Sequence, residues 1–224
     1  MRTWLPHRIR PTLAAAVVAL GGIVPLRAAS NDRERERAVP IVDSRMTRSE
    51  ALRGSRAPAR ILRAQRLVTV RYRSFDGRLH EGQIVIHRDL ASDIVAIFRE
   101  IERIGFPVAR VVPIVRYGWS DARSMADNNT SGFNYRAKPR GGGLSKHAFG
   151  MAVDINPMQN PYIVGSTRLP PGARRDLRKA GTFAGGRIVA AFERRGWTWG
   201  GRYRRGKDWQ HFSKSVRRQS GRSK

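Results

Sequence analysis

The run Ser145-Lys146-His147-Ala148-Phe149-Gly150-Met151-Ala152-Val153-Asp154-Ile155-Asn156 joins a strand to two polar side chains placed to meet. Residues 151–156 read as a strand, closed by Pro157. Side chains alternate across a strand, so Met151, Val153 and Ile155 form an apolar face that needs a packing partner. Ala152, Asp154 and Asn156 point the other way. A carboxylate in the middle of such a strand is costly to bury unless it is paired or holds a cation. His147 lies just before the strand, and Gly150 lets the chain bend so that both side chains can converge.

Working outward, residues 158–181 look irregular and Phe183 to Arg195 reads as a helix with Ile188, Val189 and Phe192 on its buried stripe, ended by Gly196. Trp197-Thr198-Trp199 and Trp209 to Phe212 flank a Gly- and Arg-rich turn and read as a hairpin. On the other side, residues 116–146 form a long polar loop, of the kind that is usually functional in a compact domain. Before it come a strand over Val108 to Val115 and a helix through Ile94, Val95, Ile97, Phe98 and Ile101 capped by Asp89. Leu67 to Tyr72 and Gly82 to His87 form a hairpin around Asp76-Gly77. This order predicts an α+β fold: a small antiparallel sheet with helices packed on one face. The domain is expected over 61–215, after a basic linker at 30–60 and before a basic tail at 216–224.

Residues 1–29 carry Arg2, Arg8 and Arg10, then the apolar Leu13 to Leu20, then small residues near Ala28 and Ala29. This reads as a secretory signal peptide or an N-terminal anchor, hence an exported, periplasmic or envelope-associated protein. The net charge of +27 predicts anionic surroundings: envelope polymers, a membrane surface or nucleic acid. Removing the first 28 residues takes away only Arg2, Arg8, Arg10 and Arg27 among the charged side chains, so the excess belongs to the rest of the chain.

Cysteine is absent, which excludes disulfides, thiolate metal sites and a cysteine nucleophile. Any metal must be held by His, Asp or Glu. Of the five histidines, His80 and His87 flank a strand with no acidic or histidine pattern around them and read as surface or capping residues. His147, Asp154 and His211 together would make a hydrolytic zinc site, two imidazoles and a carboxylate with a fourth position for water. Asp208, three residues before His211, reaches the same site only if the chain turns near it. Spacing alone leaves the alternatives open. On spacing, His147 reads more readily as a capping or core histidine than as a ligand, Asp154 equally as the buried partner of an arginine, and Trp197, Trp199 and Trp209 as core more readily than as a stacking platform.

Ser145-x-His147-x-x-Gly150-x-Ala152-x-Asp154, followed by Asp208-x-x-His211, resembles the D-alanyl-D-alanine carboxypeptidase-like zinc peptidases. That group includes D-Ala-D-Ala dipeptidases and phage L-alanyl-D-glutamate endopeptidases. The likeness runs through Ser124-Met125, Asn128-Asn129-Thr130-Ser131, Phe133-Asn134-Tyr135-Arg136, Asn156-Pro157, Asn160-Pro161-Tyr162 and Trp197-x-Trp199-Gly200-Gly201, over roughly residues 65 to 213. The resemblance implies a zinc site in a cleft on the sheet, with Zn2+ ligands at His147, Asp154 and His211, and a general base and acid at Asp208, where many relatives have Glu. It implies that Arg136 holds a substrate carboxylate or carbonyl and that Ser124 lines the same pocket. Phe212-Ser213 stands where many relatives have Phe-Glu, outside the ligand set. The implied reaction is zinc-dependent hydrolysis in the peptidoglycan stem peptide, of the D-Ala-D-Ala carboxypeptidase type. An L-alanyl-D-glutamate-type endopeptidase and a non-catalytic basic protein binding cell wall or nucleic acid are the competing expectations. No recognition-helix or aromatic RNA-binding motif accompanies the nine Lys or Arg between Arg202 and Lys224.

Overall fold

The computed structural model describes residues 39–139 and 141–216. The expected signal segment and the tail beyond residue 216 lie outside the described residues. A short strand β1 (Ile41–Val42) leads into helices α1 (Arg48–Leu52) and α2 (Ala59–Arg63), then into the nine-residue strands β2 (Gln65–Arg73) and β3 (Leu79–His87). β2 and β3 pair antiparallel from Gln65↔His87 to Arg73↔Leu79, and β1 adds to the far edge of β3 in parallel. Helix α3 (Ala91–Ile104) lays Ile94, Ile97, Phe98 and Ile101 on this hairpin, where they meet Val68, Val70, Tyr72, Ile84 and Ile86. These side chains recur at helical spacing on the helix and at alternate positions on β2, so one apolar face of each element is satisfied by the other.

The opposite face of β3 is also covered. Val85 packs with Ala51, Ala57, Ile61 and Phe133. Helices thus lie on both faces of the hairpin, where one face was expected. Residues 39–60 are correspondingly part of the fold and not the expected linker. Ile84-Val85-Ile86 is a strand apolar on both sides, and its second side needs cover that α1 and α2 provide. Thr47 and Glu50 form a reciprocal capping box that starts α1, and Arg48 donates to the Gln65 and Leu62 carbonyls.

The second half of the chain adds small sheets. β4 (Arg110–Val111) pairs in parallel with β5 (Asn129–Thr130), and between them lies helix α4 (Asp121–Ala126), capped by Ser120. β6 (Ala152–Asp154), β9 (Thr198–Trp199) and β11 (His211–Ser213) make an antiparallel sheet in the order β6-β11-β9. β7 (Tyr162–Val164), β8 (Thr167–Leu169) and β10 (Lys207–Asp208) make another in the order β10-β7-β8. Helix α5 (Gly186–Glu193) packs Phe192 on Phe212, ring centroids 3.9 Å apart. The architecture is α+β, built on several small sheets in place of the single sheet expected.

Local boundaries also moved. The strand expected over 108–115 is only two residues long, because Pro113 leads into a 3-10 turn at Ile114–Tyr117. Asp89 does not cap α3. A 3-10 turn, Arg88–Leu90, intervenes, and the His87 side chain accepts from Asp89 N at its start. His80 lies between two carboxylates, Asp43 and Asp76. Among the described residues no helix is long and apolar enough to cross a membrane.

Candidate functional site

The register of β6 and β11 builds the site. Asp154 stands directly opposite His211, and Val153 opposite Phe212. Alternation then sends Val153 and Phe212, both fully buried, into the core beside Phe192 and sends Asp154 and His211 out on the other face as cross-strand neighbours. His147 is supplied by a 3-10 turn at Lys146–Phe149, capped by Ser145 and ended by Gly150 at φ 65°. A Cβ at Gly150 would sit 2.6 Å from the His87 amide nitrogen, so both the left-handed turn and the close approach to β3 require glycine.

The three side chains converge. His147 Nε2 lies 3.1 Å from Asp154 Oδ2 and 3.2 Å from His211 Nδ1, and His211 Nδ1 lies 2.9 Å from Asp154 Oδ1. Among the described residues this is the one group of three or more His, Asp or Glu side chains whose ligand atoms lie within 4.8 Å of one another. The separations suit a divalent cation of zinc's size, since bonds of 2.0–2.1 Å at tetrahedral angles hold donors about 3.3 Å apart. The histidine tautomer suits it too. His147 Nδ1 donates to the Gly132 carbonyl at 2.6 Å, which leaves the lone pair of Nε2 facing the cluster.

Burial alone would raise the Asp154 carboxyl, but the His147 and His211 imidazoles outweigh it and hold it far below the usual carboxylate range. Burial works to lower His211, yet its hydrogen bond to Asp154 and the charges of Asp154 and Asp208 raise it above its ordinary value. An anionic carboxylate thus faces two imidazoles that can share a cation or a proton.

The segment Ser131-Gly132-Phe133-Asn134 straps two of the three residues in place. Ser131 and Asp154 exchange backbone hydrogen bonds at 2.9 and 3.0 Å, Asn134 N donates to the His147 carbonyl at 3.0 Å, and Phe133 N donates to the Val85 carbonyl at 2.7 Å. A Cβ on Gly132 would come within 2.2 Å of that Val85 oxygen. Gly132→Ala is therefore expected to push the strap off β3, turn the Gly132 carbonyl away from His147 and weaken metal binding about 10- to 100-fold. Competition with a chromophoric chelator measures this; unchanged affinity would mean that the strap does not aim His147.

The cluster opens into a cleft of about 320 Å³ that is also lined by Asp208, Arg136, Tyr162, Tyr203 and Gln210. The two-residue strand β10 puts Asp208 opposite Tyr162, and its Oδ1 is buried without a hydrogen-bond partner. Burial pushes the Asp208 carboxyl up to about 6. The Arg136 Nε forms an ion pair at 3.0 Å with Asp121 Oδ1 on α4, and that oxygen accepts a hydrogen bond from Asn134 Nδ2.

The structure thus brings together His147, Asp154, His211, Asp208 and Arg136, and leaves out Ser124. Ser124 is 1% exposed on the inner side of α4, its hydroxyl accepting from Asn129 Nδ2 at 3.0 Å, and the cleft is lined instead by its neighbour Met125. The asparagines of the sequence pattern also serve as loop ties. Asn129 brackets both backbone groups of Val112, and Asn156, at φ 48°, joins Ala109, Pro107 and Gly181. Gly132, Asp121 and Tyr203 had no signal in the sequence. Their roles depend on which distant backbone or side chain they meet.

No curated protein and no solved structure matches the chain significantly. A family model does. Residues 139–214 match the one described as D-alanyl-D-alanine carboxypeptidase, a span that contains His147, Asp154, Asp208 and His211. This segment, about a third of the chain, is thus similar to the D-alanyl-D-alanine carboxypeptidase family and carries every residue of the cluster together with Asp208.

Proposed function

We propose that the chain is a zinc-dependent peptidase that hydrolyses an amide bond in the peptide stems of bacterial cell wall, acting as a carboxypeptidase of the D-Ala-D-Ala type. The observation that carries this reading is the shared cleft. A three-donor cluster of zinc-like spacing, a carboxylate whose Oδ1 is buried without a hydrogen-bond partner and an arginine line one cavity. Zinc held by His147, Asp154 and His211 supplies Lewis acidity and makes a water nucleophilic near neutral pH.

The protein's own groups do the rest. Asp208 takes the proton of the attacking water at its carboxylate and returns it to the departing amine nitrogen, a transfer suited to a carboxyl that burial raises above its ordinary value. Arg136 offers a planar fork to the carboxylate at the end of the substrate, and Asp121 keeps that fork in place between turnovers. Tyr162 and Tyr203 wall the cleft. Export to the cell envelope fits the pattern of residues 1–29, and the excess positive charge fits an anionic envelope polymer.

Incubating metal-loaded protein with defined stem peptides and weighing the products tests the reading. Release of the terminal residue, abolished by chelator and restored by zinc, is expected. Cleavage only at an internal bond would make it an endopeptidase, and no cleavage of any stem peptide would remove the assignment. Arg136→Lys is expected to lower kcat/KM on a peptide with a free terminal carboxylate by roughly 10- to 100-fold, the worth of a charged hydrogen bond. It should leave the amidated peptide unaffected.

A further inference from the structure

The sheet that carries Asp208 has a second face. Asp208, Tyr162 and Leu169 stand side by side in register and line the cleft. One residue along, the register joins Lys207, Ile163 and Arg168, whose side chains therefore alternate to the reverse. There an open groove runs along Ile163, Arg168, Arg174, Arg175, Arg178 and Trp209.

The groove's charge is not compensated from within. Its carboxylate, Asp176, is taken up by Arg178 through two hydrogen bonds of 3.0 Å. No carboxylate among the described residues pairs with Arg168, Arg174 or Arg175. Two of these guanidinium groups are held ready by backbone carbonyls: Arg168 donates to Ala173 O and Arg175 to Phe183 O. The Arg175 Nε is buried with no partner. The buried Arg175 donor is unmet until an acceptor arrives, and the exposed Arg168 and Arg174 add positive charge beside it that favours an anionic one.

We infer that this reverse face binds a linear phosphodiester polymer that lacks bases, of the polyol-phosphate or sugar-phosphate kind. A phosphodiester presents two unesterified oxygens that neighbouring guanidinium forks can share, and it stays charged at every physiological pH. Nucleic acid is disfavoured by Trp209. The Arg175 guanidinium lies over its ring at 3.6 Å, and Trp199 stands tilted against it at 5.5 Å, so the face beneath Arg175 is closed to a stacking base. Binding here holds a polymer one sheet's thickness from the cleft without occupying it.

The test uses the full chain, with chelator present so that peptide hydrolysis plays no part. Fluorescent poly(glycerol phosphate) of defined length is titrated at several salt concentrations. Arg168→Gln with Arg174→Gln is compared with Arg60→Gln with Arg63→Gln, which removes the same charge from exposed positions on α2. The groove variant is expected to bind about tenfold more weakly and to lose roughly one to two units of salt slope, while the α2 variant stays within about twofold of wild type. Arg174→Glu alone, with an unchanged thermal midpoint, should reproduce the loss. Equal weakening by both double variants would overturn the assignment of the site. Tighter binding of charge-matched oligo(dT) or polyglutamate by the wild type would overturn the assignment of the ligand.

Discussion

Asp208→Asn is expected to lower turnover on a stem peptide by roughly 10²- to 10⁴-fold, the usual worth of a positioned base, while the protein keeps its metal. The same change should make the metal-free protein more stable above pH 6. Burial pushes the Asp208 carboxyl up to about 6 from an ordinary 3.8, and the Asp154 charge adds to this against the pull of His211, His147 and Arg136. The folded state therefore holds this proton more tightly than the unfolded chain does. The stability so gained is complete below the unfolded value and is lost as pH rises through about 6. Above that the ionised side chain, with Oδ1 buried and unpartnered, is a net cost that Asn removes. Thermal midpoints of both metal-free proteins across this range measure the effect: the gain should appear above pH 6 and vanish on acidification. Turnover of the wild type should fall on the acid side as the base takes its proton. A variant with full activity, or one less stable than wild type at alkaline pH, would remove Asp208 from this role.

Asp154→Ala is expected to do the reverse, destabilising the metal-free fold and abolishing tight metal binding together. Asp154 is 5% exposed and contacts both imidazoles. Removing one partner from a buried ionic cluster costs about 3–5 kcal/mol. Affinity should fall by more than the roughly 10- to 100-fold that a supporting residue is worth. The carboxyl is held far below its ordinary value, so its contribution is present above that ordinary value and is lost only in strong acid. His211 is shifted the other way, holding its proton to higher pH than a free histidine. Metal must displace that proton, so wild-type affinity should rise with pH through the neutral range, with proton release on binding. Calorimetry in buffers of different ionisation enthalpy reads both. PH-independent affinity, or unaltered affinity in the variant, would mean that the ion sits elsewhere.

Strand alternation, a local rule, set Asp154 apart from the apolar face, and the family resemblance joined it to His147 and His211. Val153 and Asp154 had to face opposite ways, and β11 repeats the arrangement with Phe212 and His211. The β2–β3 hairpin and helices α3 and α5 were legible for the same reason, with ends that shifted by a few residues. What escaped was whatever depended on a distant partner. Residues 39–60 carry few apolar side chains, yet Ala51 and Ala57 suffice beside Ile61 of the following segment, because together they fill only the far side of Val85. The clue lay downstream, in the unbroken Ile84-Val85-Ile86, which asks for cover on both faces. Ser124 matched its motif by position, but α4 turns it inward to Asn129. Gly132 fell between recognised positions, and its importance comes from a carbonyl of β3 that sequence distance hides.

X-ray absorption at the zinc edge of the protein loaded with one equivalent of zinc bears most directly on the metal centre. Two imidazole nitrogens and a carboxylate oxygen, completed by water at about 2.0–2.1 Å, are the expected first shell. His147→Ala and His211→Ala should each remove one imidazole from the spectrum or abolish binding. No zinc bound by the wild type, or an imidazole count unchanged in both variants, would contradict a centre built from His147, Asp154 and His211.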